Sequence, residues 1–297
     1  MKKVTAFVFF GLMGLQAQPY PQQQPYPQQQ PPYREQQDYP QQGAPALIPP
    51  QQLDQLVGRI ALYPDPLLAQ VMTASTFYNQ ISDAANWANQ HSMLNGEQLA
   101  QAIQEDNLPW DPSVLALLPF PSTLNMMASD MNWTSALGNA VLAQRNDVMD
   151  AVQRQRQLAY NYGYLQTSPY DRVIADPGYI QIVPVNAAYI YPPIYDPFIV
   201  FGRPRPGFFV GGAIRFGPAV TIGAFLPFGW RGPAFDWRAH NIIIDRQPWG
   251  RTWVNRGVYA HPYVEHREPV AGPRVERHEV RSAPARGGHE EHRGDHH

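Results

Sequence analysis

The 32 prolines of this chain decide where it can build a core, because each fixes φ and removes an amide donor. Between residues 18 and 46 they recur with glutamine and tyrosine. Pro19-Tyr20-Pro21-Gln22-Gln23-Gln24 is followed at once by Pro25-Tyr26-Pro27-Gln28-Gln29-Gln30. Such a stretch reads as extended polyproline II with no core of its own. As a spacer it would lift a domain off a surface; as a ligand it would meet an aromatic groove or a wall polymer. Composition favours the spacer.

From Leu47 to Gln166 the prolines thin out and a helical period takes over. Leu53, Leu56, Val57 and Ile60 fall on one helix face. Asp65-Pro66 reads as an N-cap followed by proline at the first helical position, and Leu67, Leu68, Val71 and Met72 line the helix that follows. Phe77, Ile81, Ala84, Ala85 and Ala88 continue the stripe, Asn95-Gly96 breaks it, and Leu99, Ala102 and Ile103 form another. Asp111-Pro112 repeats the capping device ahead of Val114, Leu115 and Leu118. A long amphipathic helix is expected from about Trp133 to Ala159. Its inner face carries Trp133, Leu137, Val141, Val148 and Val152, with Arg145, Asp147, Asp150, Arg154 and Arg156 mostly outward. About six helices in this span are enough for one compact core.

After Ser168-Pro169 the period becomes two. Arg172–Ile174, Tyr179–Val183 and Ala188–Tyr191 read as short strands, with Asp176-Pro177-Gly178 turning between the first two. Residues 198–230 are apolar, glycine-rich and aromatic. Arg215 and Pro218 interrupt them, and Val220, Thr221 and Ile222 favour strand or irregular structure, so surface association suits this stretch better than a membrane span. The expected architecture is mainly α. A helical domain at 47–166 is followed by a small β segment at 167–197, a Gly/Trp-rich region at 198–260 and a disordered polar tail at 261–297.

The first 17 residues have the build of a secretory leader. Lys2 and Lys3 precede an apolar run from Val4 to Leu15, and Ala17 is a small residue suited to cleavage before Gln18. The run is too short for a spanning helix, which needs about 20 residues. This places the mature chain in the periplasm or cell envelope, up to the cell surface. A formal net charge of −2 gives no electrostatic case for nucleic acid. With no cysteine, disulfides, thiolate chemistry, Cys-based metal sites and a lipoprotein anchor are all excluded.

Several segments are similar to one family. Ile60–Val71 (IALYPDPLLAQV), Pro109–Val114 (PWDPSV) and Asp147–Gln153 (DVMDAVQ) resemble the motifs of an exported bacterial family known as domain of unknown function thirty-three hundred. Val200–Gly232 with Asp236–His240 (DWRAH) resembles its Gly/Trp-rich stretch, and Trp253–Tyr263 its closing segment. The resemblance runs over residues 47–263. It implies export and a shared helical core, and it brings no activity, cofactor or catalytic residue. The Gln/Pro spacer and the His-rich tail depart from the pattern.

Asp65 and Asp111 are the candidate catalytic carboxylates, as an acid/base pair for wall-glycan cleavage. Helix capping accounts for both residues without chemistry. His91 is the one histidine of the helical segment, and there is no Gly-x-Ser-x-Gly elbow, His-Glu-x-x-His pair or phosphate-binding Gly-Lys loop. No cofactor is expected. In the tail, His289, His292, His296 and His297 with neighbouring acids suit a weak metal site, while a solvated tail is the simpler account. Trp230, Trp237, Trp249 and Trp253 are the candidate binding residues, either stacking on sugars or sitting at a membrane interface. The leading expectation is a non-enzymatic scaffold or binding protein that contacts membrane, wall polymer or another envelope protein. A glycan hydrolase and a metal-handling protein are the alternatives.

Overall fold

The computed structural model describes residue 43 and residues 45–204, 211–232 and 234–259. The expected leader, most of the spacer, and the tail with His289, His292, His296 and His297 lie outside the described residues. The described residues from 45 onward form one compact unit, and it is mainly α, as the periodicity implies. In chain order come α1 (Pro50–Val57), α2 (Asp65–Ser75), α3 (Ile81–Gln90), α4 (Gly96–Glu105), α5 (Pro112–Leu115), α6 (Pro121–Ser129), α7 (Met131–Ala143) and α8 (Arg145–Asn161). Prolines sit in the first turns of α1, α2, α5 and α6, where a missing amide costs nothing and the fixed φ helps the turn start. Among the described residues no helix is long and apolar enough to cross a membrane.

The long helix expected from Trp133 to Ala159 is two. Gln144 leaves the helical region at φ −144°, ψ 50°, and the break is held from outside. The Gln144 side chain accepts from the Ile48 amide at 2.7 Å and donates to the Ile48 carbonyl at 3.1 Å. The Leu142 carbonyl, left free by the break, accepts from the Trp253 amide at 2.9 Å. Neither partner is local, so periodicity alone could not place the break. One turn earlier α7 crosses α2 at Gly138. A Cβ there would lie 2.1 Å from the Ser75 carbonyl oxygen, so only glycine allows this approach.

The β elements are short and antiparallel. β1 (Asp171–Asp176) and β2 (Tyr179–Pro184) form a hairpin with Ala175 opposite Ile180 and Val173 opposite Ile182. Gly178 turns it at φ +97°. Two-residue β3 (Tyr189–Ile190) pairs with β6 (Val220–Thr221), and β4 (Pro193–Tyr195) with β5 (Ile214–Phe216). The one-turn α9 (Pro197–Val200) lies between β4 and β5. A small sheet of β7 (Phe235–Asp236), β8 (Asn241–Ile244) and β9 (Gln247–Pro248) closes the described chain, with a 3-10 turn at Arg256–Tyr259.

The Gly/Trp-rich region is packed into the helical core. Ile222, Phe225, Trp230, Trp237 and Ile242 belong to the same buried cluster as Leu67, Leu117, Leu137 and Val148. Burial of those large side chains at roughly 25 cal/mol per Å² of apolar surface ties residues 220–242 to the helices.

Candidate functional site

The stripe on α8 runs Val148, Val152, Arg156, Ala159, and all four are completely buried. An arginine on that stripe overturns the expectation that Arg156 faces outward. Its guanidinium is spent on the protein itself. Nε donates to the Ala61 carbonyl at 2.8 Å, Nη2 to the Tyr63 carbonyl at 3.0 Å, and Nη1 to both the Ile180 carbonyl and Asp65 Oδ1 at 2.7 Å. The Trp237 ring lies with its centroid 4.9 Å from the guanidinium carbon.

Asp65 is the other half of this node, and it is not the cap the sequence suggests. It occupies the first position of α2, and no side chain caps that end. Besides the ion pair, Oδ2 accepts from the Trp237 indole N–H at 3.0 Å and Oδ1 from the Ile182 amide at 3.4 Å. A buried charge must be paired and hydrogen-bonded to be tolerated, and Asp65 and Arg156 satisfy one another. The node links the start of α2, α8, β2 and the Gly/Trp-rich region.

Asp111 does cap. Its Oδ1 accepts from the Ser113 amide at 2.9 Å and from the Ser113 hydroxyl at 2.6 Å, and its amide donates to Gln80 Oε1 at 2.8 Å. Burial lowers the Arg251 guanidinium from its ordinary value, and the Asp111 charge opposes that shift in part. Asp65 and Asp111 share no partner among these contacts, and among the described cavities Asp65 lines one that Asp111 does not.

The four candidate tryptophans are engaged within the protein. Trp230 is buried, donates to the Ala116 carbonyl at 3.2 Å and packs on Phe120. Trp237 is buried on the node. Trp249 and Trp253 keep half-exposed rings, with Arg145 and Arg256 over them at 4.7 and 3.8 Å. Arg145 also donates to the Trp249 carbonyl at 3.0 Å and to the Arg251 carbonyl. The Trp249 ring under Arg145 and the Trp253 amide on the Leu142 carbonyl tie the closing segment to α8 and α7.

Two cavities flank β2, and its alternating side chains line one or the other. Gln181 and Val183 face a groove of about 920 Å³. Its walls are mainly apolar, among them Ile190, Ile222, Leu226 and Phe235, and Asp65 reaches its floor. Arg231 and Arg246 also line it, and both are exposed to solvent. Ile182 faces a smaller cleft of about 330 Å³ on the other side. Asp171, at the start of β1, lines that cleft. It is only 4% exposed, and its Oδ1 has no hydrogen-bond partner. Burial, with the Asp65 charge adding to it, pushes its carboxyl up to about 7.

Nearby tyrosines report the same dry surroundings. Burial raises Tyr63 to about 12, against a lowering hydrogen bond from Thr123. Burial also lifts Tyr195 well above the ordinary phenol value, although its oxygen accepts from the Leu62 amide at 3.2 Å.

Sequence reasoning missed Arg156 and Asp171. For Arg156 a signal was present: it stands four residues after Val152 and eight after Val148, on the apolar stripe. Asp171 had none, because the residues around it, among them Leu62 and Ile182, lie far from it in the sequence.

A helical core clamped by a Gly/Trp-rich segment through a buried Arg–Asp–Trp node is the class of protein that these observations define. The chain belongs to the DUF3300 family, described as a protein of unknown function, whose sequence profile matches residues 49–261. It is 35% identical to the uncharacterized protein YacH of Escherichia coli strain K12, over 51% of this chain and 30% of that one. The match therefore spans under a third of that relative's length. No solved structure matches.

Proposed function

We propose that this is an exported, non-enzymatic binding protein of the cell envelope, and that its groove takes an amphiphile with an apolar chain and an acidic head. The groove beside β2 carries the reading. It has about 920 Å³ of space, walls of Ile190, Ile222, Leu226 and Phe235, and the cations Arg231 and Arg246. That volume falls at the upper end of small-molecule sites, roughly 300–1,000 Å³. Apolar walls gain from burying a chain, and exposed arginines offer planar, forked donors to a carboxylate or phosphate. Membrane lipid is the source of such molecules in an envelope, and the apolar leader at Val4–Leu15 supports that compartment.

The test is titration of the purified mature chain with a fluorescent fatty acid. Saturable uptake is expected, weakened about tenfold, or ~1.4 kcal/mol, by Arg231→Glu with Arg246→Glu, and abolished by filling the groove with Ile222→Trp. Absence of saturable uptake, or uptake indifferent to all three changes, overturns the reading. Cell fractionation checks the compartment: retention of Met1 and a cytosolic location would remove the envelope assignment.

A further inference from the structure

The cleft on the opposite face of β2 is a second site, independent of the groove. We propose that it binds a primary ammonium carried on an unbranched aliphatic stem, with the Asp171 carboxylate as the counter-charge at its inner end. The argument begins with an unmet need. Asp171 is 96% removed from solvent, being 4% exposed, yet Oδ1 has no donor from the protein. Buried carboxylate oxygens are ordinarily satisfied, and because Asp171 lines the cleft, a donor entering there is the partner its carboxylate lacks.

The surroundings select the kind of donor. Leu62, Val173, Ile182 and Phe216 supply aliphatic and aromatic walls, which suit a run of methylenes. At the mouth stand Gln166 and Thr167, both exposed. The volume of about 330 Å³ is at the small end of ligand clefts and matches one narrow chain.

The main chain at Asp171 is held firmly in place. Ser168 Oγ accepts from the Asp171 amide at 3.0 Å, and the Asp171 carbonyl accepts from the Ser168 amide at 2.9 Å. The remaining charge that faces it is Asp65, whose own oxygens are taken by Arg156, Trp237 and Ile182. Asp65 therefore repels a second anion at Asp171 and favours a cation beside it. With its carboxyl raised to about 7, Asp171 releases a proton when an ammonium arrives, so binding strengthens as pH rises from 6 to 8.

Two sources carry this chemistry: a free alkyl diamine, or a lysine side chain on a peptide. The full mature chain is titrated calorimetrically with 1,5-diaminopentane and, separately, with Nα-acetyl-lysine amide. Nα-acetyl-norleucine amide serves as the uncharged control. At least one amine is expected to bind, about tenfold tighter at pH 8 than at pH 6, with release of about half a proton at pH 7. Which amine binds distinguishes the sources. Asp171→Asn, which keeps the shape and removes the charge, is expected to abolish binding while leaving fatty-acid uptake by the groove unchanged. Binding of neither amine, equal binding of norleucine amide, or full binding by Asp171→Asn overturns the proposal.

Discussion

Asp65-Pro66 at the start of α2 and Asp111-Pro112 at the start of α5 are the same dipeptide in the same local setting. The two aspartates end with different work. Asp111 satisfies the first amides of its own helix through Ser113. Asp65, one residue further into its helix, reaches across the core to Arg156 and Trp237. The difference lies in what stands opposite. A cationic residue on the buried stripe of α8 requires an anion, and Asp65 is the carboxylate within reach. A sequence motif fixes where a helix starts, while the partner across the core fixes what its carboxylate does.

The sharpest way to break this comparison is to remove the partner. Arg156→Met should cost about 3–5 kcal/mol, because it strands a buried carboxylate and leaves the Ala61, Tyr63 and Ile180 carbonyls without their donor. Urea denaturation followed by circular dichroism measures it. Adding Asp65→Asn to that variant should recover about 1 kcal/mol or more; no recovery would show that the pairing is not what holds Asp65 there. By itself Asp65→Asn should cost about 3 kcal/mol, since it leaves the arginine unpaired.

Asp171 sharpens the comparison as a carboxylate that is buried like Asp65 but has no arginine. Its raised value, to about 7, means the folded chain holds this proton more tightly than the unfolded chain does. Folding therefore takes up a proton between about pH 4 and 7, and this group's contribution falls as pH rises through that window. At about 1.4 kcal/mol per pKa unit, a rise from the ordinary 3.8 to about 7 means Asp171→Asn should gain on the order of 4 kcal/mol at pH 8 and nothing at pH 4. Thermal melts at the two pH values measure the difference, and a gain independent of pH would remove the assignment.

The smallest effects belong to Asp111. Asp111→Ala should cost about 1 kcal/mol, the ordinary worth of an N-cap. Asp111→Asn should cost a few tenths, because asparagine caps nearly as well. Matched losses from Asp65→Asn and Asp111→Asn would erase the distinction between the two motifs.

Much of the fold was written locally. The stripes at Leu53/Val57 and Leu67/Leu68/Val71, the prolines in first turns, and the switch to alternation after Ser168 mark helices and strands by nearest-neighbour chemistry. The sites were less legible. Arg156 sat on its apolar stripe in plain view, but the anion that makes its burial tolerable, Asp65, lies far along the chain, and the helical wheel does not show it. The tryptophans were picked out as binding residues because their neighbours are Gly, Arg and Asn. Trp230 and Trp237 went instead into the core, drawn by the area their rings bury.

The residue order by itself determined the helical character, the proline punctuation and the family motifs, because each depends on groups a few positions apart. Tertiary structure alone decided the break at Gln144, the Asp65–Arg156–Trp237 node and the unpartnered Asp171 at its cleft. In each case the deciding groups lie far along the chain: Ile48 for Gln144, Arg156 and Trp237 for Asp65, and for Asp171 burial first, with the Asp65 charge adding to it. Pairing and burial across such separations depend on where the folded chain brings those groups, and no local pattern encodes that.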